Sequence, residues 1–197
     1  MATNSLRTAY GEALVEQGKT NKNIVVLEAD LGKSTMSCLF QAAYPERYFE
    51  MSIAEANMAS TAAGLALTGK IPFINSFAVF STGRCYDQLR QTISIAGLNV
   101  KICGSSAGLS DYGDGSTHQS VEDMGLMRGI PGMTVLVPVD GWKRPRWWRR
   151  WSSTRDRPTS GSTATICQFS PQRTASLKSA NCIRCEKGPM PWYSPMA

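Results

Sequence analysis

The feature that most constrains this chain is a regular alternation between short apolar runs and segments with helical periodicity. The apolar runs cover residues 24–30, 48–53, 71–77, 99–106 and 133–140, and the helical segments cover residues 5–19, 37–44, 54–69, 82–96 and 121–130. Continuous apolar runs of this length are typical of strands that are buried on both faces of a parallel sheet. The alternation therefore predicts an α/β fold in which a mostly parallel sheet is flanked by helices.

Polar residues follow several of the predicted strands. Asp30 ends the first run, Glu55 follows the second, and a glycine-rich loop that contains Asp114 and His118 follows the fourth. Ligands of open parallel sheets bind beyond the carboxyl ends of the strands. These residues are therefore candidates for a binding site.

Each candidate also has a purely structural explanation. Glu55 opens a predicted helix, where the helix dipole favours a carboxylate. Phe73, Phe77 and Phe80 could pack in the core or form a platform for a planar heterocycle. His118 is the only histidine of the chain, which excludes multi-histidine metal sites and leaves one imidazole for acid–base chemistry. The residue patterns alone leave both explanations open.

The alternation stops after Asp140, and the composition changes at the same point. Residues 141–197 contain 11 of the 21 Lys and Arg but only 2 of the 15 Asp and Glu, so their net charge is +9, whereas residues 1–140 carry −3. They also contain all five Trp and six of the ten Pro, with few aliphatic residues. We therefore predict a folded domain at residues 1–140 and an irregular, disordered basic tail at residues 141–197.

Cysteine usage and hydropathy indicate a reduced, cytoplasmic protein. Cys38, Cys85 and Cys103 are scattered through apolar or helical context, which is typical of reduced thiols. A C-x-x-C motif at residues 182–185 has no second Cys or His pair nearby, so a zinc site is not expected. The N-terminus has no apolar secretory region and no run of 18 apolar residues exists, so we expect no membrane span.

Several stretches together carry a family resemblance. They are RTAYGEAL, VVLEADLGKST, RYFEMSIAEANMASTAAGLAL, PFINSFAVFSTGRCYDQLRQTI and GLSDYGDGSTHQSVEDMGLMRGIPGMTVLVPVD, which cover nearly all of residues 5–140 in order. In these stretches the chain resembles the pyrimidine-binding domain of transketolases, and more specifically the C-terminal section of a split bacterial or archaeal transketolase. A 1-deoxyxylulose-5-phosphate synthase shares this domain and is the main alternative, while β subunits of 2-oxo acid dehydrogenases are more distant.

The resemblance implies cofactor-binding roles for four residues. Glu55, in SIAEANM, matches the glutamate that hydrogen-bonds N1′ of the aminopyrimidine of thiamine diphosphate. A carboxylic acid there favours the imino tautomer, whose nitrogen removes the thiazolium C2 proton. Phe77 and Phe80, in SFAVF, match aromatic residues that pack on the pyrimidine ring, and Asp30, in LEADLGKS, matches an aspartate on the thiazolium side.

The same resemblance implies the reaction and its substrates. Asp114 and His118, in DGSTHQ, match the polar pair that binds sugar hydroxyls and assists proton transfer. The reaction would move a two-carbon ketol unit from a ketose phosphate to an aldose phosphate, within the pentose phosphate pathway. We therefore interpret Glu55 and His118 as catalytic and Asp114 and His118 as substrate-binding.

The metal and the diphosphate are expected on a partner. Family members hold the Mg²⁺ (or Ca²⁺) of the cofactor with a GDG and a later Asn, in a different domain. The GDG at residues 113–115 has no such Asn in VPVDGWKRP, so we interpret its glycines as shaping a loop and assign no metal ligand to this chain. In split members the other domain is a separate N-terminal section. We expect this chain to require that section, to function as a homodimer of such pairs and to be inactive alone.

The tail has a second interpretation at the level of codons. Read from the third base of each codon, residues 142–152 are compatible with VEATAMVEAVV and residues 158–170 with YIRINRNDLPVF, which match the helix and strand expected next in the family. Tryptophan has one codon, so the Trp142–Lys143 junction forces Glu and the Trp147–Trp148 junction forces Val. Agreement at one constant offset in two places favours a frameshift after about residue 140.

A non-catalytic protein that binds nucleic acid through the Arg and Trp of the tail is the alternative from a different class. We do not favour it, because the basic charge belongs to the tail alone and the family resemblance covers the acidic remainder.

Overall fold

The computed structural model describes residues 5–137 in full, and residues 165–169 and 183–184 by their backbone. The described residues form one sheet of seven strands. The strands are β1 (Ile24–Glu28), β2 (Tyr48–Glu50), β3 (Ile71–Phe77), β4 (Lys101–Ser105), β5 (Thr134–Val137), β6 (Thr165–Phe169) and β7 (Ile183–Arg184).

Helices connect the strands. Within the described residues the α-helices are α1 (Leu6–Thr20), α2 (Gly32–Thr35), α3 (Cys38–Ala43), α4 (Glu55–Leu67), α5 (Tyr86–Gln88) and α6 (Asp123–Gly129). Further helical segments are of other types. Pro45–Arg47 and Gly115–Thr117 are 3-10 helices, and Phe80–Arg84 and Leu89–Ser94 are π-helices. None of the helices in this part of the chain is long and apolar enough to cross a membrane.

One predicted helix differs in form from the structure. The sequence predicts a plain helix at residues 82–96, whereas the helical stretch begins at Ala78 and contains two π-helical segments, one on each side of the short α5. A periodicity of 3.6 residues cannot reveal the wider π turn, which occurs frequently at functional sites.

The strand order across the sheet is β2-β1-β3-β4-β6-β5-β7. Every neighbouring pair is parallel except β5 and β7. The predicted α/β fold with a mostly parallel sheet is therefore confirmed. Because β2, β1, β3 and β4 are direct neighbours, the loops that leave their carboxyl ends start side by side.

Two strands come from the tail, where the sequence pattern indicated no further strand. The backbone of β6 pairs with both β4 and β5, and β7 pairs with β5. The expectation of no further strand was therefore wrong for residues 165–169 and 183–184. Their backbone hydrogen bonds identify them as strands, although their short sequences have no recognisable strand pattern. The other residues of the tail, and with them the predictions of disorder and of a frameshift, lie outside the described residues.

The sheet separates two hydrophobic clusters, because successive side chains of a strand point to opposite faces. On β1, Val25 and Leu27 belong to one cluster, while Ile24 and Val26 belong to the other. The first cluster includes residues of α4 and α6, and the second includes residues of α1 and α3. Covering both faces explains why the strands are continuous apolar runs.

Helix α4 lies close to the sheet because the residues that face it are small. Ala59, Ala62 and Ala63 are all buried in the first cluster. The helix begins at Glu55, a short turn after β2 ends at Glu50. Its first turn therefore lies at the carboxyl end of the sheet.

Candidate functional site

Three predicted site residues come together as a cluster of rings at the carboxyl end of the sheet. The rings of Phe77 and Phe80 are stacked, with centroids 6.3 Å apart and an interplanar angle of 17°. The ring of His118 meets both edge-on, with its centroid 6.1 Å from that of Phe77 and 5.1 Å from that of Phe80. Such offset and edge-to-face pairs are favourable geometries. Phe73, by contrast, is fully buried in the core, as its structural explanation requires.

Local structure explains how these rings meet. Phe77 is the last residue of β3, and the π-helical turn Phe80–Arg84 folds the chain back so that Phe80 stacks on it. His118 arrives from the loop between β4 and α6, directly after a 3-10 turn. The Oγ1 of Thr117 lies 2.9 Å from Nδ1 of His118, which fixes one side of the imidazole.

Glu55 is joined to this cluster by an arginine. The Glu55 side chain is only 1% exposed. Nη1 of Arg84 donates a hydrogen bond to each of its carboxylate oxygens, at 2.9 Å in both cases. The Cζ of Arg84 also lies 4.3 Å from the centroid of the Phe80 ring. A buried carboxylate requires a charged or hydrogen-bonding partner, and Arg84 provides one.

Arg84 is not among the site residues predicted from the sequence. Phe80 and Arg84 are the first and last residues of one π-helical turn. Residues four apart on a helix share a face, so the spacing of an aromatic and a cation in FSTGR was the available signal. This spacing could be interpreted only once the structure showed that Glu55 contacts Arg84.

Asp30 lies in the loop after β1, but in this structure it stands apart from the ring cluster. It is exposed, and its carboxylate has no hydrogen bond or ion pair within the described part of the chain. Its backbone N–H donates to Oε1 of Glu50 at 2.9 Å, and the N–H of Ser52 donates to the same oxygen at 3.2 Å. Glu50 thus ties together the loops that lead to Asp30 and Glu55.

Backbone strain marks the same region. Asp30, Ser52 and Ser106 have φ values of 61°, 53° and 55°, in the left-handed region that non-glycine residues seldom adopt. Each follows one of three strands, β1, β2 and β4. Such positions cluster at functional sites, where the surrounding structure holds them in place.

The predicted pair Asp114 and His118 flanks the 3-10 turn Gly115–Thr117. Gly115 makes this turn possible with a φ of 76°. A neighbouring carboxyl, Asp111, was missed by the sequence analysis. Desolvation and then the adjacent charge of Asp114 raise the pKa of Asp111, while His118 acts in the opposite direction. The loop therefore presents two coupled carboxyls and an imidazole.

A second buried carboxyl, Glu28, lies on the opposite face of the sheet. The hydroxyls of Thr35 and Ser37 donate to its Oε2, and the N–H of Ala29 donates to its Oε1 at 3.2 Å. Burial raises the pKa of Glu28 to about 7, although these hydrogen bonds act to lower it. Burial likewise raises the pKa of Tyr48, whose hydroxyl lies 3.3 Å from Oγ of Ser37.

Cysteines and metal-binding groups add little to the site. Cys38, Cys85 and Cys103, the cysteines whose side chains are described, are free. Burial, and then the nearby charge of Glu55, raises the pKa of Cys85 to about 12. No group of three or more His, Cys, Asp or Glu in the described ranges could hold a metal ion. The C-x-x-C motif at residues 182–185 lies outside the described side chains.

Comparison with known families and proteins gives a consistent result. Residues 2–160 match the family described as the pyrimidine-binding domain of transketolase. The chain is 47% identical over 135 residues to a Methanocaldococcus jannaschii protein named as a transketolase C-terminal section, a match covering 68% of this chain and 43% of that one. It is 45% identical over 135 residues to a 6-deoxy-6-sulfo-D-fructose transketolase subunit of Clostridium sp. strain MSTE9, covering 68% and 42%. The chain thus spans less than half the length of these curated relatives.

Solved structures show the same relationship. A structure described as a split-gene transketolase, an inactive β4 tetramer, has a TM-score of 0.70 and 40% identity, covering 88% of this chain and 55% of that one. The transketolase of Campylobacter jejuni has a TM-score of 0.73 at 21% identity, covering 84% and 25%, and so shows the fold alone. The family match and the identities together establish that this chain belongs to the transketolase pyrimidine-binding-domain family.

Proposed function

We propose that this chain supplies the pyrimidine-binding half of a transketolase site. The complete enzyme would use thiamine diphosphate to move a two-carbon ketol unit from a ketose phosphate to an aldose phosphate. The observation that carries the proposal is the buried carboxylate of Glu55, which lies at the carboxyl end of the sheet and is linked through Arg84 to the stacked rings of Phe77 and Phe80.

These residues fit an aminopyrimidine. The ring needs a flat apolar surface and a carboxyl group in its plane, and water must be kept from both. Phe77 and Phe80 provide the surface, and Glu55 is 1% exposed. When bound, the cofactor would supply the nucleophilic carbon that carries the two-carbon unit.

Each predicted site residue then has a defined role. Glu55 holds a proton at N1′ of the pyrimidine, and Phe77 and Phe80 orient the ring and exclude water. His118, whose ring edge faces both phenylalanines, moves a proton at a sugar hydroxyl. Asp114 binds a sugar hydroxyl, and Asp30 lies on the thiazolium side of the cofactor.

The proposal includes a partner chain. A transketolase N-terminal section would hold the diphosphate and Mg²⁺ (or Ca²⁺), and two such pairs would form the active assembly in the cytoplasm. Support comes from the relatives, since the Methanocaldococcus jannaschii protein is named as a transketolase C-terminal section and a similar solved structure is described as a split-gene transketolase. We propose that the chain is inactive alone, as is the β4 tetramer of the similar split-gene transketolase.

The alternatives receive less support. The relatives named above are transketolases rather than 1-deoxyxylulose-5-phosphate synthases. Binding of nucleic acid would depend on the tail, and the resemblance to relatives extends over 68% of the chain, about the share of residues 1–140. The enzyme proposal therefore accounts for more of the sequence.

Reconstitution with a transketolase N-terminal section tests the proposal. With a continuation of the family frame after residue 140, the pair should convert sugar phosphates, and Glu55→Gln should lower kcat by about 100-fold or more, because general acid–base groups contribute about that much. The matched control is Glu16→Gln, which changes an exposed carboxylate of α1 and should leave kcat unaltered. Full activity of the Glu55→Gln pair, or turnover by the isolated chain, would contradict the proposal.

A further inference from the structure

We infer that the Arg84 side chain occupies the aminopyrimidine position in this chain and must be displaced before the cofactor can bind. The inference rests on the proposed function, because it assumes that Glu55 and Phe80 are the groups that receive the pyrimidine. It adds a residue that neither the sequence motifs nor the family roles brought forward. Arg84 would act as an internal competitor of the cofactor.

The first argument is the shape and chemistry of the guanidinium. It is planar, and its Cζ lies 4.3 Å from the centroid of the Phe80 ring. Its Nη1 contacts both carboxylate oxygens of Glu55 at 2.9 Å. An aminopyrimidine is also planar, and in the proposed function it packs against the same ring and meets the same carboxyl group.

The second argument is mutual exclusion. The Glu55 side chain is 1% exposed, so a neighbouring group must move before a ligand can reach its carboxyl group. Arg84 already engages both oxygens. Nη1 of Arg84 lies within hydrogen-bond distance of both oxygens and so takes the position that a ring nitrogen would need in order to bind them in the same way. Binding of the pyrimidine and the Arg84–Glu55 ion pair therefore compete.

The third argument is that Arg84 is able to leave. Its side chain is 45% exposed, and it is the last residue of the π-helical turn. A Cβ on the preceding Gly83 would meet no atom within 4 Å, so the turn is open on that side, next to Arg84. Rotation of the long side chain would return the guanidinium to water without moving the backbone.

Arg47 shows the contrasting arrangement of a structural arginine. Its side chain is 14% exposed, and its Cζ lies 4.0 Å from the Tyr44 ring centroid. Its Nη1 donates to the carbonyl oxygens of Gly18 and Asn21 at the end of α1. These partners belong to the backbone and no ligand is expected there. Stacking on an aromatic ring is therefore not specific to a ligand site, whereas stacking combined with a buried side-chain carboxylate is the feature of Arg84.

Titration of the full 197-residue chain with 4-amino-5-hydroxymethyl-2-methylpyrimidine tests the inference. This probe lacks the diphosphate, so it requires only the pyrimidine half of the site. Arg84→Met keeps an unbranched apolar stem, about two atoms shorter than arginine, and removes the donor and the charge. We expect it to bind the probe at least about tenfold more tightly than the unmodified chain, since a hydrogen bond to a charged group contributes about this much. Arg90→Met, at an exposed position of the following helical segment, is the matched control and should leave the affinity unchanged.

A second measurement does not depend on a variant. Nitrogen-15 NMR of the arginine side chains in the unmodified chain should show the Arg84 signal moving towards that of a solvated guanidinium as the probe saturates. Equal or weaker binding by Arg84→Met, absence of binding by that variant while it remains folded, or an Arg84 signal that stays unchanged at saturation would each overturn the inference. Transketolase turnover by the reconstituted pair is a separate readout, so failure of the proposed function would be recognised independently.

Discussion

Two buried carboxyl groups with different partners dominate the chemistry at the scale of single residues. Glu55 is paired with a cation, Arg84, whereas Glu28 is held by hydroxyl and backbone donors. Desolvation disfavours the charged form of a buried carboxyl group, and hydrogen bonds from neutral donors offset only part of that effect at Glu28. Burial accordingly raises the pKa of Glu28 to about 7.

Glu28 should make stability depend on pH. The pKa of this group rises from 4.5 to about 7 on folding, so between these values the folded state binds more protons than the unfolded state. The free energy of unfolding therefore falls as the pH rises through this window, by up to roughly 1.4 kcal/mol per pH unit. Glu28→Gln has no such proton to lose and should remove that decrease. Urea unfolding at about pH 5 and about pH 8 measures the difference.

Ser37→Ala provides the control for this experiment. It removes one hydroxyl donor to Glu28 but leaves the carboxyl in place. Since that hydrogen bond lowers the pKa of Glu28, the variant should keep the decrease of stability with pH. If Glu28→Gln retained the full decrease as well, another group would be responsible.

The sequence predicted the site residues unevenly. Glu55 and His118 were predicted as site residues because they follow strands and match family motifs, and Phe77 and Phe80 because the resemblance covers SFAVF. Arg84 and Glu28 were missed for a shared reason. The role of each residue depends on its contact with a side chain from another part of the chain. Neither hydrophobic periodicity nor motif spacing reveals that contact.

At the scale of elements, helix α1 approaches α2 and α3 so closely that two of its positions allow only glycine. A Cβ on Gly11 would lie 2.4 Å from the backbone oxygen of Met36, and one on Gly18 would lie 2.5 Å from Cε2 of Phe40. Glycine weakens a helix by about 1 kcal/mol relative to alanine. The two glycines therefore lower the intrinsic helix propensity of α1 but allow its close contact with α2 and α3.

Gly11→Ala should destabilise the protein although alanine is the better helix former. The added Cβ would collide with backbone rather than with a flexible side-chain end, so relief requires α1 to move. We expect the free energy of unfolding to fall by roughly 1–3 kcal/mol. The matched variant Gly64→Ala, in α4, meets no atom within 4 Å and should instead raise it by up to about 1 kcal/mol. Denaturant unfolding of both variants tests the contrast, and a stabilised Gly11→Ala protein would contradict it.

Elements were predictable where both faces of the sheet are covered. The bounds of β3 agree with the apolar run at residues 71–77 because every position from 72 onward is buried. The run at 24–30 extends two residues past the end of β1 at Glu28, since a buried alanine follows the last paired residue. The residues of the chain as written did not predict β6, because TICQF at residues 165–169 has neither a continuous apolar run nor a strict alternation of apolar and polar residues.

At the scale of the whole molecule, charge divides the chain into two unlike parts. Residues 1–140 carry −3 and residues 141–197 carry +9. The sheet nevertheless has a strand position between β4 and β5, and residues 165–169 fill it. These residues lie within residues 158–170, the stretch whose shifted reading predicts a strand. The architecture thus leaves room for the strand that the family frame would provide.

Sequencing the gene across the codons for Asp140 to Lys143 tests the frameshift. We expect a missing or an extra base there, because the same offset restores family-like peptides at residues 142–152 and 158–170. A corrected chain should then unfold at a higher denaturant concentration, since a better matched strand and helix would cover the sheet. An uninterrupted frame across these codons would contradict the frameshift and leave the basic tail as a genuine part of the protein.

At Asp30, Ser52 and Ser106, whose backbone is in the left-handed region, we expect stability and function to favour different residues. Glycine adopts this conformation without strain, so replacing any of the three would raise stability by roughly 1 kcal/mol. A screen that rewards heat resistance alone would therefore accumulate glycines around the very loops that leave β1, β2 and β4. The resulting proteins would unfold at a higher temperature, but they would lose the rigidity of the loop ends and the Asp30 carboxylate, which we propose for the cofactor site.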